Sequence, residues 1–421
     1  MKLKIENVGK VEYSDIELNG ITVIAGYNNT GKTTVLRSAD LMLKTFHNFN
    51  QNISEERAKS IENYILQQDN LFDNQGFEEL SYQLLADVAH EVRKELFRTR
   101  NRLITKEKFF QIYYGILNPD IIDFVSEDQK ESLEFIAETM YSGMQAIYKR
   151  ENSEYEKFLA EINVRSEFHQ QAHQLSNNKE SVIDLTDQAV TCRVKFQANK
   201  VIEEFGSDLG SHPVVYLETQ NILDSMSRRV NRGMTSKLRE MLLRERNLNK
   251  DEIIYEQYQE TESNLKMLED IFQEVMHGKL ISELGILKYK EEHMDDAIQI
   301  KNVASGMKIF LLLYRLIENG SLKENSWILI DEPESNLHPD WHLKLAEILI
   351  LLKIKMNIRI ILSSHSPYFM RALEVKMADY GILGCGTFYL MVERNQGFAA
   401  KDVTAHTEEI YRQLYQPLEL L

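Results

Sequence analysis

Residues 26–33 of this 421-residue chain fit the pattern G-x-x-x-x-G-K-T and end in Lys32 and Thr33. Glycines at that spacing let the backbone curl until its N–H groups point at one anion. Gly26, Asn28, Asn29, Thr30 and Gly31 would form the cradle. Lys32 would hold the β- and γ-phosphates of a nucleotide, Thr33 would ligate Mg²⁺, and Thr34 would bond the α-phosphate. A second chemical stretch is Trp327–Glu332, four apolar residues followed by two carboxylates. Asp331 would reach Mg²⁺ through its water shell, and Glu332 would polarise an attacking water. A third is Ile360–His365, an apolar run ending in Ser363, Ser364 and His365, where a histidine can reach and sense a γ-phosphate.

These groups need elements to hold them. Ile21, Val23 and Ile24 are β-branched, and Val35, Leu36 and Ala39 recur at helical spacing, so the glycine loop joins a strand to a helix running to about Phe46. The carboxylates at 331–332 leave the C-terminal end of a buried strand, where open α/β sheets place their ligands. Leu3 and Ile5, then Ile16 and Leu18, alternate with polar residues and predict a strand pair before the loop. Further β pattern lies at 181–204, 214–217, 286–289 and 297–300, with a hairpin at 387–392 and 398–403. Helices are expected over 221–278, from Ser305 to Glu318, near Asp340–Leu352, and at the end to Leu414.

Residues 47–175 differ. Leu80, Leu84, Leu85 and Val88 make one apolar stripe, and Leu133, Ile136, Met140, Met144 and Ile147 another. No long heptad seam runs through them, so a stubby lobe of antiparallel helices is expected, not a coiled-coil rod. The expected organisation is a head in three pieces, 1–46, 176–220 and 281–421, interrupted by the lobe at 47–175 and a helical segment at 221–280.

Composition bounds the rest. A net charge of −16 argues against a general nucleic-acid coat protein. Six prolines and 18 glycines argue against disorder. No apolar run of about 18 residues spans a membrane. Cys192 and Cys385 have no metal spacing and read as reduced thiols of a cytoplasmic protein.

With these motifs in place, the chain resembles ATPases of the ABC type. The family order is kept: the phosphate loop at 26–33, Ala304-Ser305-Gly306-Met307-Lys308 as a signature opening a helix, Asp331-Glu332 after a strand, a D-loop at 335–339, and His365 as the switch histidine. Ser305 and Gly306 match the signature core, while Met307-Lys308 depart from the transporter form and look like the Ser-Gly-x-Lys of SMC-like and OLD-like ATPases. Gln220 stands where the Q-loop glutamine that contacts Mg²⁺ or water would be. The run Asp331-Glu332-Pro333-Glu334-Ser335-Asn336-Leu337-His338-Pro339, with Ile5-Glu6-Asn7-Val8-Gly9, resembles the subgroup containing OLD proteins and anti-phage ATPases such as those of Septu and PARIS. The likeness covers residues 1–40 and about 214–400 and leaves out the lobe.

The resemblance implies an α/β ABC-type head, with a mixed sheet, flanking helices and an antiparallel β subdomain, carrying a large helical insertion. It implies ATP and Mg²⁺ as cofactors and a homodimer in which the signature of one copy caps the ATP on the other. It also implies a regulatory or sensor role over a partner effector such as a nuclease. The residues after His365 are too few for a nuclease fold of about 100 residues. A DNA repair ATPase of the RecF or SMC kind is the alternative. Its support is a basic run of Arg93, Lys94, Arg98, Arg100, Arg102, Lys106 and Lys108, with a smaller cluster at Arg228, Arg229 and Arg232. A solvated helix face is the plainer reading of both. A transporter subunit is disfavoured by the signature and by the absence of a surface for membrane helices.

Overall fold

A computed structural model describes residues 1–73, 81–99, 102–117, 126–174, 179–188, 190–218, 234–244, 266, 268–283 and 286–416 of the chain. Its contacts divide the chain into two compact units, Met1–His47 with Ala160–Leu421, and Asn48–Leu159.

The first unit is built on strand β3 (Ile21–Ala25), all five residues of which are buried. A run that is apolar except for Thr22 suits a strand covered on both faces. Its neighbours in the sheet are β12 (Arg359–Ser364) and β13 (Gly386–Arg394), both parallel to it. Beyond β12 come β11 (Trp327–Asp331) and β7 (Val214–Glu218), again parallel and in register, so Asp331 lies beside Ser363 on one side and Glu218 on the other. On the far side β13 turns back into β14 (Gly397–Asp402), which runs parallel to β2 (Val11–Glu17). Then follow, all antiparallel, β1 (Lys2–Val8), β4 (Ser181–Asp187), β5 (Val190–Gln197) and β6 (Lys200–Phe205). The described strands thus make one mixed eleven-stranded sheet. A separate antiparallel sheet holds β8 (Gly278–Glu283), β9 (Ile286–Glu291) and β10 (Ile298–Gln299).

Helices flank the sheet: α1 (Lys32–Phe46), with α9 (Ser305–Glu318), α10 (Pro339–Met356), α11 (Pro367–Asp379) and α12 (Glu408–Tyr415) in the C-terminal part. Phe310, Leu313 and Leu316 of α9 and Leu345, Leu349 and Leu352 of α10 share one core with Ile328, Ile330 and Leu362 of the strands. Pro339 and Pro367 sit at first helical positions, where the missing N–H costs nothing.

Two expectations need correction. The segment 221–280 was expected to be helical throughout, but β8 begins at Gly278, within it. Gly278 allows the close approach: a Cβ there would lie 2.2 Å from the Lys290 carbonyl oxygen. The β pattern at 297–300 is shorter than expected, because the chain tightens into a 3-10 turn at Ile300–Asn302.

The second unit is helical among its described residues. It contains Phe49–Leu66, Asp69–Asp73, Ser81–Arg98, Lys106–Ile116 and Glu127–Tyr148. Its core includes Ile61, Leu85, Val88, Phe109, Tyr113, Ile136, Met140 and Met144. Both apolar stripes face that core, apart from Leu80, which lies outside the described residues. Ser126 and Gln129 form a capping box that starts the last of these helices. Helix Asn152–Glu167 crosses the boundary, its residues from Ala160 belonging to the first unit.

Candidate functional site

The three chemical stretches meet at the C-terminal ends of β3, β12 and β11, because those strands are adjacent and parallel. The loop Gly26–Gly31 leaves β3 and enters α1. Gly31 caps the helix at φ 93°, a left-handed conformation that glycine adopts without cost. Thr30 donates its hydroxyl to the Tyr27 carbonyl at 2.8 Å, and Asn29 is also left-handed at φ 69°. Asn28 and Asn29 are exposed at the loop crest. The first N–H groups of α1, those of Lys32, Thr33 and Thr34, have no acceptor within the helix, and no acidic side chain occupies that turn. An anion is what such a turn favours.

Lys32 is 4% exposed, and its ammonium donates to the carbonyls of Gly26 at 3.0 Å and Tyr27 at 2.9 Å. Glu332 Oε1 lies 3.9 Å from it. Burial pulls the Lys32 pKa down, and Glu332 and Asp331 pull it back up. Thr33 donates its hydroxyl to Asp331 Oδ2 at 2.7 Å, and the Ser363 hydroxyl donates to Asp331 Oδ1. Burial raises the Asp331 pKa, opposed by those two hydrogen bonds. A hydroxyl and a carboxylate in contact form the all-oxygen donor set that Mg²⁺ prefers. Thr34 turns elsewhere: a Cβ added to Gly9, in the turn between β1 and β2, would lie 3.2 Å from its side chain.

Glu332 is held in a left-handed conformation, φ 51°. For a residue with a long side chain this costs on the order of 1–3 kcal/mol and persists only where the surroundings enforce it. The enforcement is visible: its N–H donates to the Ser363 carbonyl at 3.2 Å and the Ser363 hydroxyl at 3.1 Å. The kink turns the chain off β11 and brings the Glu332 carboxylate to 3.3 Å from His365 Nδ1. Glu334, one turn on, is buried, and accepts from the Ser364 hydroxyl at 2.7 Å and the His365 N–H at 3.0 Å. Burial raises its pKa.

The structure therefore brings together Lys32, Thr33, Asp331, Glu332 and His365. Ser305 and Gly306 stand apart, at the start of α9. Ser305 is exposed, and among the described residues no hydrogen bond joins it to the phosphate loop. Gly306 is buried against the D-loop, and a Cβ on it would lie 2.6 Å from the Asn336 carbonyl oxygen. Gln220 lies outside the described residues, as do Arg100, Arg228, Arg229 and Arg232. The strand leading to Gln220 ends in Glu218, which accepts from Arg37 of α1 at 2.7 Å and from the Tyr216 hydroxyl at 3.3 Å.

Four groups at the site were given no role from the sequence: Ser363, Ser364, Glu334 and the Arg37–Glu218 pair. Ser363 and Ser364 gave a signal, two polar residues finishing an apolar strand, both 0% exposed. Arg37 and Glu218 are 181 residues apart and carry none.

A phosphate loop, a strand-end carboxylate pair and parallel strands holding them define a P-loop nucleotide-hydrolysing fold. The family model described as AAA ATPase domain matches residues 1–370, and the chain belongs to that family. No curated protein matches it. Among solved structures, an SMC head bound to the C-winged helix domain of ScpA is similar at 10% identity and TM-score 0.44, covering 95% of this chain and 97% of that one. The SMC head domain from Thermotoga maritima gives 10%, 0.36, 96% and 98% in the same order. The Smc head domain with an extended coiled coil bound to the C-terminal domain of ScpA, from Pyrococcus furiosus, gives 10%, 0.41, 99% and 98%. Superpositions at those scores carry no argument about this chain. No described helix is long and apolar enough to cross a membrane.

Proposed function

We propose that the chain hydrolyses ATP with Mg²⁺ as an SMC-like ABC ATPase, and does so as a dimer closed around the nucleotide. The observation that carries the reading is the convergence of Lys32, the Thr33–Asp331 pair, Glu332 and His365 on one strand end. On nucleotide entry Lys32 exchanges two backbone carbonyls for β- and γ-phosphate oxygens. Thr33 and Asp331 would hold Mg²⁺, which would neutralise charge developing on the phosphates. Glu332 orients and polarises the attacking water, and His365 meets the γ-phosphate. Gly26 to Thr33 would cradle the phosphates, and Gln220, outside the described residues, is the sequence's candidate for a further ligand. Ser305, exposed at the first turn of α9, offers its hydroxyl and that turn's N–H groups to the nucleotide of a second copy.

The role we infer for the dimer is regulatory: it controls a separate effector, such as a nuclease, in anti-phage defence. The motif run at 331–339 supports this. Four of the seven residues in the lobe's basic run have acidic partners within the lobe, which weighs against direct nucleic-acid binding there. Arg93 pairs with Glu62, Lys94 with Glu91, Arg98 with Glu95 and Lys106 with Glu138.

Glu332→Gln tests the assignment. It should bind ATP as the parent does, lose roughly 10²–10⁴-fold in turnover, and accumulate as an ATP-bound dimer in light scattering. Hydrolysis at the parent rate would refute the site, and a monomer that hydrolyses ATP at high dilution would refute the dimer. Copurification with the products of neighbouring genes checks the effector.

A further inference from the structure

One buried carboxylate at the site has no part in the hydrolysis just described. Glu334 is 6% exposed, and a glutamate is almost never so buried unless it is paired. Its Oε1 accepts from the Ser364 hydroxyl and from the His365 backbone N–H, and the Ser364 oxygen in turn accepts from the Ser366 N–H at 3.1 Å. The residues on both sides of His365 are thus tied to Glu334 by one hydrogen-bond chain. The same Oε1 lies 3.5 Å from His365 Nδ1, and its partner Oε2 is buried without a hydrogen bond among the described residues.

Two carboxylates therefore face one ring nitrogen, Glu332 at 3.3 Å and Glu334 at 3.5 Å. Nδ1 is aligned with neither in this conformation. Catalytic hydrogen bonds are often loose before the nucleotide arrives. The two acids differ in surroundings. The Glu332 side chain is 27% exposed, with Lys32 also within 3.9 Å. The Glu334 side chain is 4% exposed and already grips the His365 backbone. A hydrogen bond is stronger in the drier place. A Glu332 tied to the imidazole would also be hindered in presenting its oxygen to water.

We propose that Glu334 is the positioning residue for His365: it holds the backbone and accepts a hydrogen bond from Nδ1–H, so that the ring, when it carries a hydrogen on both nitrogens, presents Nε2–H to the γ-phosphate and leaves Glu332 for water. The inference rests on the ATPase reading, but its first test does not. Histidine ring nitrogens are observed by NMR in the nucleotide-free full chain, with His365 identified by its loss in His365→Ala. Glu334→Ala, and more weakly Glu334→Gln, should shift the His365 signals, while Glu332→Gln leaves them in place. The reverse pattern would make Glu332 the holder and overturn the proposal. Glu334→Gln keeps the shape and an accepting oxygen, so it serves if the alanine variant fails to fold.

Kinetics give the second test. Loss of an orienting partner of this kind lowers activity about 10–100-fold, and here it should fall on kcat with KM changed by less than about threefold. Added to His365→Ala, Glu334→Ala should cost no more than about twofold further. Losses that multiply would mean a merely structural carboxylate. If Glu332→Gln hydrolyses ATP normally, the ATPase assignment fails, while the ring signals still decide on Glu334.

Discussion

The strand-end site and the helical lobe use their residues in opposite ways. At the site, polar groups are buried and each has a partner chosen by chemistry: Lys32 faces two carbonyls, Asp331 two hydroxyls, Glu334 a hydroxyl and an N–H. In the lobe the buried residues are aliphatic and aromatic, and charged groups pair on its surface. Type and position are fixed together in the first region. In the second, period and volume suffice, so many sequences would do. That difference accounts for a lobe without recognisable motifs beside a head full of them.

Lys32→Ala should break the comparison hardest. It removes the buried cation of the loop, so ATP affinity should fall by roughly 10²–10³-fold, measured by calorimetry. Nucleotide binding at parental strength would show that the buried polar set is structural. Next in size, Phe109→Ala empties a lobe position that is 0% exposed and ringed by Tyr113 and Tyr141. It should cost about 3–5 kcal/mol of lobe stability and leave ATP affinity unchanged. Coupled loss of ATP binding would mean the two units do not keep separate accounts of their cores.

A third prediction exploits a buried charge cluster away from the site. Lys44 of α1 bridges Asp40 and Glu167, whose side chains are 0% and 2% exposed. Burial, with Asp40 adjacent, pushes the Glu167 carboxyl up to about 8. The folded state thus binds that proton more tightly than the unfolded chain does. This stabilisation is complete below about pH 4.5, the ordinary glutamate value, and is lost as pH rises towards 8. Glu167→Gln, always neutral, should flatten the fall of melting temperature between those limits. An unchanged slope would remove Glu167 as its source. The smallest effect belongs to Arg98→Ala, whose side chain is 71% exposed and whose partner Glu95 lies one turn back on the same helix. An exposed pair of this kind should leave the melting temperature unmoved, and the ATPase response to duplex DNA unmoved too. Loss of a DNA response would restore the nucleic-acid reading of the basic run.

Much of the site was legible because phosphate chemistry dictates residue type at fixed spacing. Lys32, Thr33, Asp331 and Glu332 could be placed on their elements from the apolar runs alone. What stayed hidden depends on distant pairing. Asp40 and Glu167 look like ordinary helix-surface charges until the fold buries them together. β6 falls within the β pattern read at 181–204, although it carries Lys200, Glu203 and Glu204 and alternates little, because it lies at the end of the sheet order with only β5 beside it among the described strands. β8 was missed because its short run Lys279–Ser282 follows a helical pattern, with Gly278 as the single break before it. The bounds of α9 were read to the residue, because Ser305 opens it and Asn319-Gly320 closes it.

The order of synthesis meets a difficulty in the placement of β3. This strand, with the phosphate loop at its tip, leaves the ribosome early, yet its sheet neighbours β12 and β13 begin at Arg359 and Gly386. At about 5–20 residues per second, roughly 17 to 70 seconds pass before the first of them is made. Throughout that interval Ile21, Val23 and Ile24 have no strand to lie against, and both edges of β3 are open templates for another chain. A nascent chain therefore cannot load nucleotide while it is being made.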